Sequence, residues 1–201
     1  MKKRDLLTLS LIILLTTAIS ITSVLLNKEA TWVSWLEALG AISGAACVWL
    51  TVKENVWNFP ISLLNVITFS IVYFNIKLYA DASLQVVYVI LTLIGWYLWL
   101  FGGARHTALR VARATFLELT TVLLAVALLT LTLWNVLHFI GGSSSFFDAL
   151  TTSLSLGAQW LLNRKRLENW YFWIAADILY IPLLLYKAVY LTAALYAVFL
   201  V

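Results

Sequence analysis

The chain has 201 residues, of which 63% are hydrophobic and only 11% are charged, whereas soluble domains usually contain about 25% charged residues. This composition excludes a soluble globular protein and indicates an integral membrane protein, with no separate soluble domain between the apolar stretches. The net charge of +4 does not indicate nucleic-acid binding, because the basic residues are spread over several loops rather than gathered in one patch.

Eight apolar segments are predicted to form membrane helices, given that a spanning helix needs roughly 20 apolar residues. Their predicted spans are 6–26, 33–52, 58–75, 79–101, 116–139, 146–162, 168–186 and 188–201. Pro60 falls in the first turn of the third helix, where its missing N–H is tolerated. Pro182 lies inside the seventh helix and is expected to kink it. Both prolines are therefore candidate hinges.

The distribution of lysine and arginine predicts that both termini face the cytoplasm. With a cytoplasmic N-terminus, ten of the thirteen basic residues fall on inner segments and only Lys28, Lys77 and Lys187 fall on outer ones. This bias satisfies the positive-inside rule. The first helix, which follows the basic segment 2–4, also resembles a signal peptide. In either interpretation the remaining seven helices keep the same orientation.

A sequence repeat relates the second, third and fourth helices to the sixth, seventh and eighth. Trp57 matches Trp170 at an offset of 113 residues, as Phe59 matches Phe172, and Tyr79 matches Tyr190 at 111. Because the repeats begin four helices apart, both have the same orientation. This predicts an all-α integral membrane fold, a SWEET-like 3+1+3 bundle of parallel repeats with one extra N-terminal transmembrane helix. The predicted divisions are 1–30 (accessory helix), 31–103 (first repeat), 104–142 (linker helix) and 143–201 (second repeat).

The seventh helix carries the strongest candidate for a substrate site. Trp170, Trp173, Asp177 and Tyr180 are spaced to lie on one helical face, and Asp177 falls near the bilayer midplane, where a carboxylate is costly. Two indoles can sandwich a flat cationic ring, and the carboxylate can accept hydrogen bonds or balance the charge. The alternative for the tryptophans is an interfacial aromatic belt, which does not explain Asp177.

Other polar side chains inside predicted helices are further ligand candidates. They are Asn58 and Asn65 on the third helix, Gln85 and Tyr88 on the fourth, and Gln159 on the sixth. The alternative for the asparagines is hydrogen bonding between helices. Trp96 and Trp99 are interpreted as belt residues, and Glu37, Glu118, His138 and Asp148 as charges solvated at the membrane surface. Cys47 is expected to be a small buried core residue.

The sequence contains no nucleophile–base pair, acid–base dyad, glycine-rich phosphate loop or metal-ligand cluster. Neither an enzyme, a cofactor nor a bound metal is therefore predicted. Two functional classes remain from the residues alone. One is a transporter with its site between the repeats, and the other is a membrane receptor or scaffold that binds a ligand without moving it.

Several motifs together resemble the PnuC family of vitamin transporters, from about Trp35 to the C-terminus. The segments that carry the resemblance are Trp57-Asn58-Phe59-Pro60 with Asn65, Lys77-Leu78-Tyr79-Ala80-Asp81 with Gln85, Gly95-Trp96-Tyr97 with Trp99, and Glu168-Asn169-Trp170 with Trp173, Lys187, Tyr190 and Thr192. The resemblance implies that Trp170, Trp173, Asn65, Gln85 and Asn58 contact the substrate.

The resemblance also implies a SWEET-like seven-helix core that forms a homotrimer in a bacterial inner membrane. It implies facilitated diffusion of nicotinamide riboside, which a cytoplasmic kinase then traps by phosphorylation; related members carry thiamine or riboflavin. Phe59 and Asp177 stand where Trp and Asn are familiar in nicotinamide riboside members, so thiamine remains the alternative substrate. Proton coupling through Asp177 also remains open.

Overall fold

A computed structural model describes residues 3–26, 31–75, 79–139, 145–186 and 196–197. Within these residues the chain forms seven α-helices and one 3₁₀ turn. They are α1 (Lys3–Leu26), α2 (Trp32–Val52), α3 (Asn58–Asn75), α4 (Tyr79–Phe101), the 3₁₀ turn Ala104–His106, α5 (Phe116–Phe139), α6 (Ser145–Asn163) and α7 (Asn169–Tyr186). The bounds of these seven helices confirm the predicted spans to within three residues. The eighth predicted helix, 188–201, lies outside the described residues apart from 196–197.

Among the described residues, four helical segments are long and apolar enough to cross a membrane. They are Trp32–Val52, Asn58–Asn75, Ala82–Phe101 and Phe116–Phe139. Large apolar side chains such as Leu124 and Leu128 remain exposed along them, as expected where lipid rather than protein covers a helix. Pro60 is the third residue of α3, in its first turn as predicted, and Pro182 lies inside α7.

The chain divides into two compact units, Met1–Tyr97 and Leu98–Val201. In the first unit α1 packs on α2 and α2 packs on α3, and in the second α5 packs on α6 and α6 on α7. An apolar cluster forms the core of the second unit: Val122, Val126, Ala158, Leu161 and Phe172. Gly157 permits the close approach of α5 and α6, because a Cβ atom there would lie 2.8 Å from the Val126 Cγ2 atom.

The α2–α3 and α6–α7 hairpins share one turn geometry at a constant offset of 111 residues. Each turn contains five residues, 53–57 in the first hairpin and 164–168 in the second. The second residue of each turn has a left-handed backbone, with φ of 51° at Glu54 and 52° at Lys165. Residues other than glycine avoid the left-handed backbone region. The same unusual φ at equivalent positions therefore indicates that the whole turn conformation is repeated.

The hydrogen bonds of the two turns repeat in the same register. The Asn55 N–H donates to the Leu50 carbonyl, and the Arg166 N–H donates to the Leu161 carbonyl, both with N···O distances of 2.9 Å. The bonds that begin the next helix also recur, because Asn58 and Asn169 each donate a backbone N–H to the residue three positions earlier. Asn58 and Asn169 are therefore equivalent first residues of α3 and α7.

A cation over an aromatic ring also recurs at this offset. The Lys53 Nζ atom lies 5.7 Å from the Trp49 ring centroid, and the Arg164 Cζ atom lies 5.7 Å from the Trp160 centroid. The geometric register differs from the predicted pairing of Trp57 with Trp170 at an offset of 113. That pairing was wrong, because aromatic residues are common at the start of both helices and two of them coincide in type without occupying equivalent positions.

Candidate functional site

Helix α7 carries the four residues of the predicted stacking face. Trp170 and Trp173 are half-buried, and Trp173 packs against the apolar core of the second unit. Tyr180 stacks on Tyr196, with ring centroids 5.2 Å apart and an interplanar angle of 8°. One tryptophan and the tyrosine are therefore fixed by protein contacts, and rigid aromatic rings bind a flat ligand at a smaller entropic cost.

Asp177 is the most unusual residue of this helix. It is 9% exposed, and among the described residues no hydrogen bond or ion pair reaches its carboxylate. A buried carboxylate without a partner is costly in an apolar environment. The site is therefore electrostatically incomplete within the described residues, and a cationic group supplied by a ligand would complete it.

Asn65 joins α3 to α2 through its side chain. Its Nδ2 atom donates a hydrogen bond of 2.6 Å to the carbonyl oxygen of Gly40, which also accepts one of 2.9 Å from Ser43 Oγ. Gly44, one turn further along α2, leaves space for the amide, since a Cβ atom there would lie 3.0 Å from Asn65 Nδ2. The amide nitrogen is thus held by α2, while no hydrogen bond from the described residues reaches the Asn65 Oδ1 atom.

Asn58 is buried at the start of α3, with 2% of its surface exposed. Its Nδ2 atom donates to Thr51 Oγ1 at 3.0 Å, and its backbone carbonyl accepts a hydrogen bond of 3.6 Å from the half-buried Cys47 thiol. Its Oδ1 atom is buried without a partner. Asn169, the equivalent residue of α7, likewise has a buried Oδ1 atom without a partner. The structure therefore gives Asn58 a role in joining α2 to α3, whatever it does for a ligand.

The remaining candidates lie on α4 and α6. Gln85 and Tyr88 are half-buried on α4. Gln159 is buried on α6 and donates a hydrogen bond of 3.1 Å from Nε2 to Asn163 Oδ1. The first unit thus carries Asn58, Asn65, Gln85 and Tyr88, and the second carries Gln159 with the four residues of α7. The ligand roles of all nine stay predictions.

Sequence reasoning misassigned Trp99. It was interpreted as a membrane-interface residue, but it is only 2% exposed. Its Nε1 atom donates a hydrogen bond of 3.0 Å to the Leu162 carbonyl, and the Lys165 ammonium lies 4.3 Å from its ring centroid. The Trp99 ring therefore packs inside the protein. Its partners lie more than sixty residues away along the chain, so no local sequence pattern could have indicated these contacts.

Glu118 was also misassigned, since it is not a solvated surface charge. Its side chain is 12% exposed, and Oε2 lies 3.0 Å from Arg166 Nε. Arg164 approaches the other carboxylate oxygen at 3.6 Å. Glu168 accepts a hydrogen bond of 2.7 Å from the backbone N–H of Ala114. These contacts fasten the start of α5 to the α6–α7 turn. The only local signal for them was an acid in the first turn of a helix.

Comparison with known proteins matches most of the chain to one family. A family model described as "Nicotinamide mononucleotide transporter" matches residues 34–201. The nicotinamide riboside transporter PnuC of Escherichia coli (strain K12) is 28% identical over 183 aligned residues, covering 78% of this chain and 77% of the relative. PnuC of Haemophilus influenzae is 30% identical over 151 residues, covering 73% of this chain and 66% of the relative.

A solved structure shares the fold. The crystal structure of the vitamin B3 transporter PnuC aligns with a TM-score of 0.72 at 23% identity, and the alignment covers 96% of this chain and 86% of that chain. These matches confirm the resemblance to the PnuC family and the prediction of a transporter rather than an enzyme. They agree with an all-helical protein that crosses the membrane several times. The chain belongs to the nicotinamide mononucleotide transporter family of membrane proteins.

Proposed function

We propose that this protein transports nicotinamide riboside across the bacterial inner membrane by facilitated diffusion. The observation that carries the substrate class is Asp177, a buried carboxylate that has no ion pair among the described residues. Nicotinamide riboside bears a fixed positive charge on a flat pyridinium ring. The carboxylate and the ring are complementary in charge, and binding the ring offsets the cost of burying the acid.

The proposed pose places the ring against Trp170 and Trp173, with its positive charge toward Asp177. These three residues are spaced at intervals of three and four along α7, so they share a helical face. Aromatic faces attract cations and stack on flat rings. Trp173 is held by the core of its unit, which supports a preformed stacking surface.

The ribose and carboxamide groups need hydrogen-bonding partners. We assign them to Asn65, Gln85 and Asn58, with Tyr88, Tyr180 and Gln159 as additional contacts. Asn65 is the best supported, because its Nδ2 atom is held by Gly40 and its Oδ1 atom is left as an acceptor. A carboxamide N–H or a ribose hydroxyl can donate to that oxygen.

The phosphate group separates the riboside from the mononucleotide named in the family description. Helices α2 to α7 contain neither lysine nor arginine, and proteins recognise phosphate dianions largely with these two residues. A phosphate in the membrane core would therefore lack a charged partner. This favours the riboside, the substrate named for the relatives, over the mononucleotide.

Thiamine is the second candidate, and riboflavin a weaker third. Thiamine also carries a fixed positive charge on a flat ring, so Asp177 and the tryptophans suit it equally. Riboflavin has no such charge, and Asp177 gives no reason to prefer it. Phe59 and Asp177, which depart from the pattern expected for riboside carriers, favour keeping thiamine as a test ligand.

The transport cycle follows from the proposed architecture. The 3+1+3 arrangement of parallel repeats would let the repeats rock about Pro60 and Pro182, exposing the site to each side alternately. The proposal also places both termini in the cytoplasm. A cytoplasmic kinase would phosphorylate the riboside after entry and prevent its return. The homotrimer is part of the same proposal.

Binding is tested by titrating purified protein with nicotinamide riboside, its mononucleotide and thiamine while tryptophan fluorescence is recorded. We expect saturable quenching by the riboside and weaker quenching by the mononucleotide. The riboside response should be lost in the Trp173→Ala variant. It should persist in the Tyr171→Ala variant, because Tyr171 is an exposed residue of the same helix. Binding of thiamine alone would replace the riboside as substrate.

Transport is tested separately by uptake into proteoliposomes without an imposed gradient. Facilitated diffusion predicts equilibration of the riboside to its external concentration. Uptake that requires a proton gradient would instead implicate coupling through Asp177. Binding without uptake under either condition would identify a receptor and contradict the transport proposal.

A further inference from the structure

The segment between α4 and α5 carries three arginines whose side chains have no partner among the described residues. Arg105, Arg110 and Arg113 all have exposed side chains. Their guanidinium groups form no hydrogen bond or ion pair with another described residue. The neighbouring basic residues differ, because Arg166 pairs with Glu118 and Lys165 covers the Trp99 ring. The acids of this region are already engaged, so the three exposed charges are uncompensated.

The backbone of this segment is held in place by hydrogen bonds. The Gly103 N–H donates to the Thr107 carbonyl at 2.8 Å, and the Leu109 N–H donates to the Trp99 carbonyl at 3.1 Å. Further along, the Ala112 N–H donates to the Lys165 carbonyl at 3.1 Å. The three arginines are therefore carried on an ordered support, and their charges need not be gathered from a flexible chain before they bind an anion.

Large apolar side chains follow the arginines directly. Phe116 and Leu117 at the start of α5 are 87% and 75% exposed, and Val111 is exposed between Arg110 and Arg113. Exposed aromatic and aliphatic residues next to arginine are suited to the boundary between acyl chains and headgroups. A soluble anion would engage the arginines alone, whereas a phospholipid would contact both the arginines and these apolar side chains.

We propose that Arg105, Arg110 and Arg113, together with Phe116 and Leu117, form a binding surface for anionic phospholipid. The guanidinium groups bind headgroup phosphates, and the two apolar residues contact the upper acyl chains. Three exposed positive charges on one short segment complement an anionic lipid better than a zwitterionic one. The surface is separate from the substrate residues, so the proposal does not depend on the identity of the substrate.

The test compares lipids that differ only in headgroup charge. Purified protein is equilibrated with equal amounts of phosphatidylglycerol and phosphatidylcholine that carry the same acyl chains, and retained lipid is counted by native mass spectrometry. We expect a preference for phosphatidylglycerol that falls about fivefold for each Arg→Gln substitution at positions 105, 110 and 113. The triple Arg→Lys variant should retain most of the preference, because the charge is kept.

Lys53→Gln is the matched control, because Lys53 is an exposed cation in the α2–α3 turn. The surface predicts that this variant keeps the wild-type lipid ratio. An equal fall in Lys53→Gln and Arg110→Gln would attribute the preference to net charge and overturn the proposal. An unchanged ratio in the triple Arg→Gln variant would also overturn it.

Thermal stability gives a second readout that also verifies folding. Phosphatidylglycerol should raise the melting temperature of the wild type more than phosphatidylcholine does. This difference should shrink when ionic strength rises from about 0.1 M to about 1 M, which shortens the screening length from about 10 Å to about 3 Å. If inorganic triphosphate reproduces the effect with the same arginine dependence and phosphatidylglycerol does not, the site takes a soluble anion and the lipid proposal is wrong.

Discussion

The side-chain amide of Asn65 on α3 donates a hydrogen bond to the carbonyl of Gly40 on α2, with 2.6 Å between nitrogen and oxygen. Gly40 and Gly44 are spaced four residues apart, the small-residue spacing that lets membrane helices approach closely. In the proposed site, this contact leaves the Asn65 Oδ1 atom as the acceptor for a substrate. Helix α2, which carries none of the predicted ligands, would then support the proposed site by holding the Asn65 amide.

Gly44→Ala is expected to weaken substrate binding with little loss of stability. The added Cβ atom would lie 3.0 Å from Asn65 Nδ2 and displace the amide, while alanine favours the helix by up to about 1 kcal/mol. Gly40→Ala is the contrasting variant, because its Cβ atom would lie 2.8 Å from the Phe69 ring and should cost about 1–3 kcal/mol through overpacking. Melting temperature and riboside affinity, measured on both, separate the two effects. Full affinity in a well-folded Gly44→Ala variant would contradict the role of Asn65.

Asp177→Asn is expected to lower affinity for nicotinamide riboside at least about tenfold, equivalent to about 1.4 kcal/mol, because the ring loses its counter-charge. The informative comparison is the reduced dihydronicotinamide form of the riboside, which has nearly the same size and shape and no ring charge. Its affinity should change little or improve. Asp148→Asn on α6 is the matched control. A similar loss for the charged and uncharged ligands would assign Asp177 a role in packing instead.

Trp99→Phe is expected to destabilise the protein by about 1–3 kcal/mol, because the partly buried Leu162 carbonyl loses its indole donor. The phenyl ring still lies under Lys165, so the loss reports mainly the hydrogen bond. Trp160→Phe provides the control, since Trp160 is 44% exposed. Thermal unfolding in detergent measures both. Equal stability of the two variants would show that the Trp99 hydrogen bond contributes nothing measurable.

Glu118→Gln is expected to destabilise the second unit by about 1–3 kcal/mol, because removing the charge of Glu118 leaves Arg166 without its counter-ion. An exposed ion pair would contribute only roughly 0–1 kcal/mol. Glu37→Gln is the control, because Glu37 is exposed on α2. The measurement is the melting temperature at low and at high salt. A loss that disappears entirely in high salt would place the pair among ordinary surface contacts.

The helices could be predicted from the sequence because polar and glycine-rich breaks interrupt long apolar runs. The bounds of α3 and α4 match the predicted spans, and Pro60 lies where its missing N–H is tolerated. The candidate site could be predicted only by residue type. The spacing that placed Asp177 beside two tryptophans could not show that Trp173 packs on the core or that Asn65 donates to Gly40, because those partners lie on other helices.

The contacts that the 102–115 segment and the start of α5 make with the α6–α7 turn could not be predicted for a related reason. Glu118 and Arg166 are far apart in the chain, and the bridge of Ala112 with Arg166 is made by backbone groups, which carry no signature in the side-chain sequence. The repeat register failed differently. Matching residue types favoured an offset of 113 at Trp57, while turn length and hydrogen bonding, which the sequence does not display, establish 111.

The two hairpin turns also show how far one backbone shape can be separated from its side chains. The same turn conformation is formed by Lys-Glu-Asn-Val-Trp in the first hairpin and by Arg-Lys-Arg-Leu-Glu in the second. The second turn also holds a neighbouring segment, with the Lys165 carbonyl and the Leu167 N–H both bonded to Ala112. A turn of this kind is exchangeable: a chimaera carrying the first turn in both places should keep the α6–α7 hairpin and weaken its contacts with the 102–115 segment. Such a chimaera would separate the shape of the turn from its contacts with the rest of the unit.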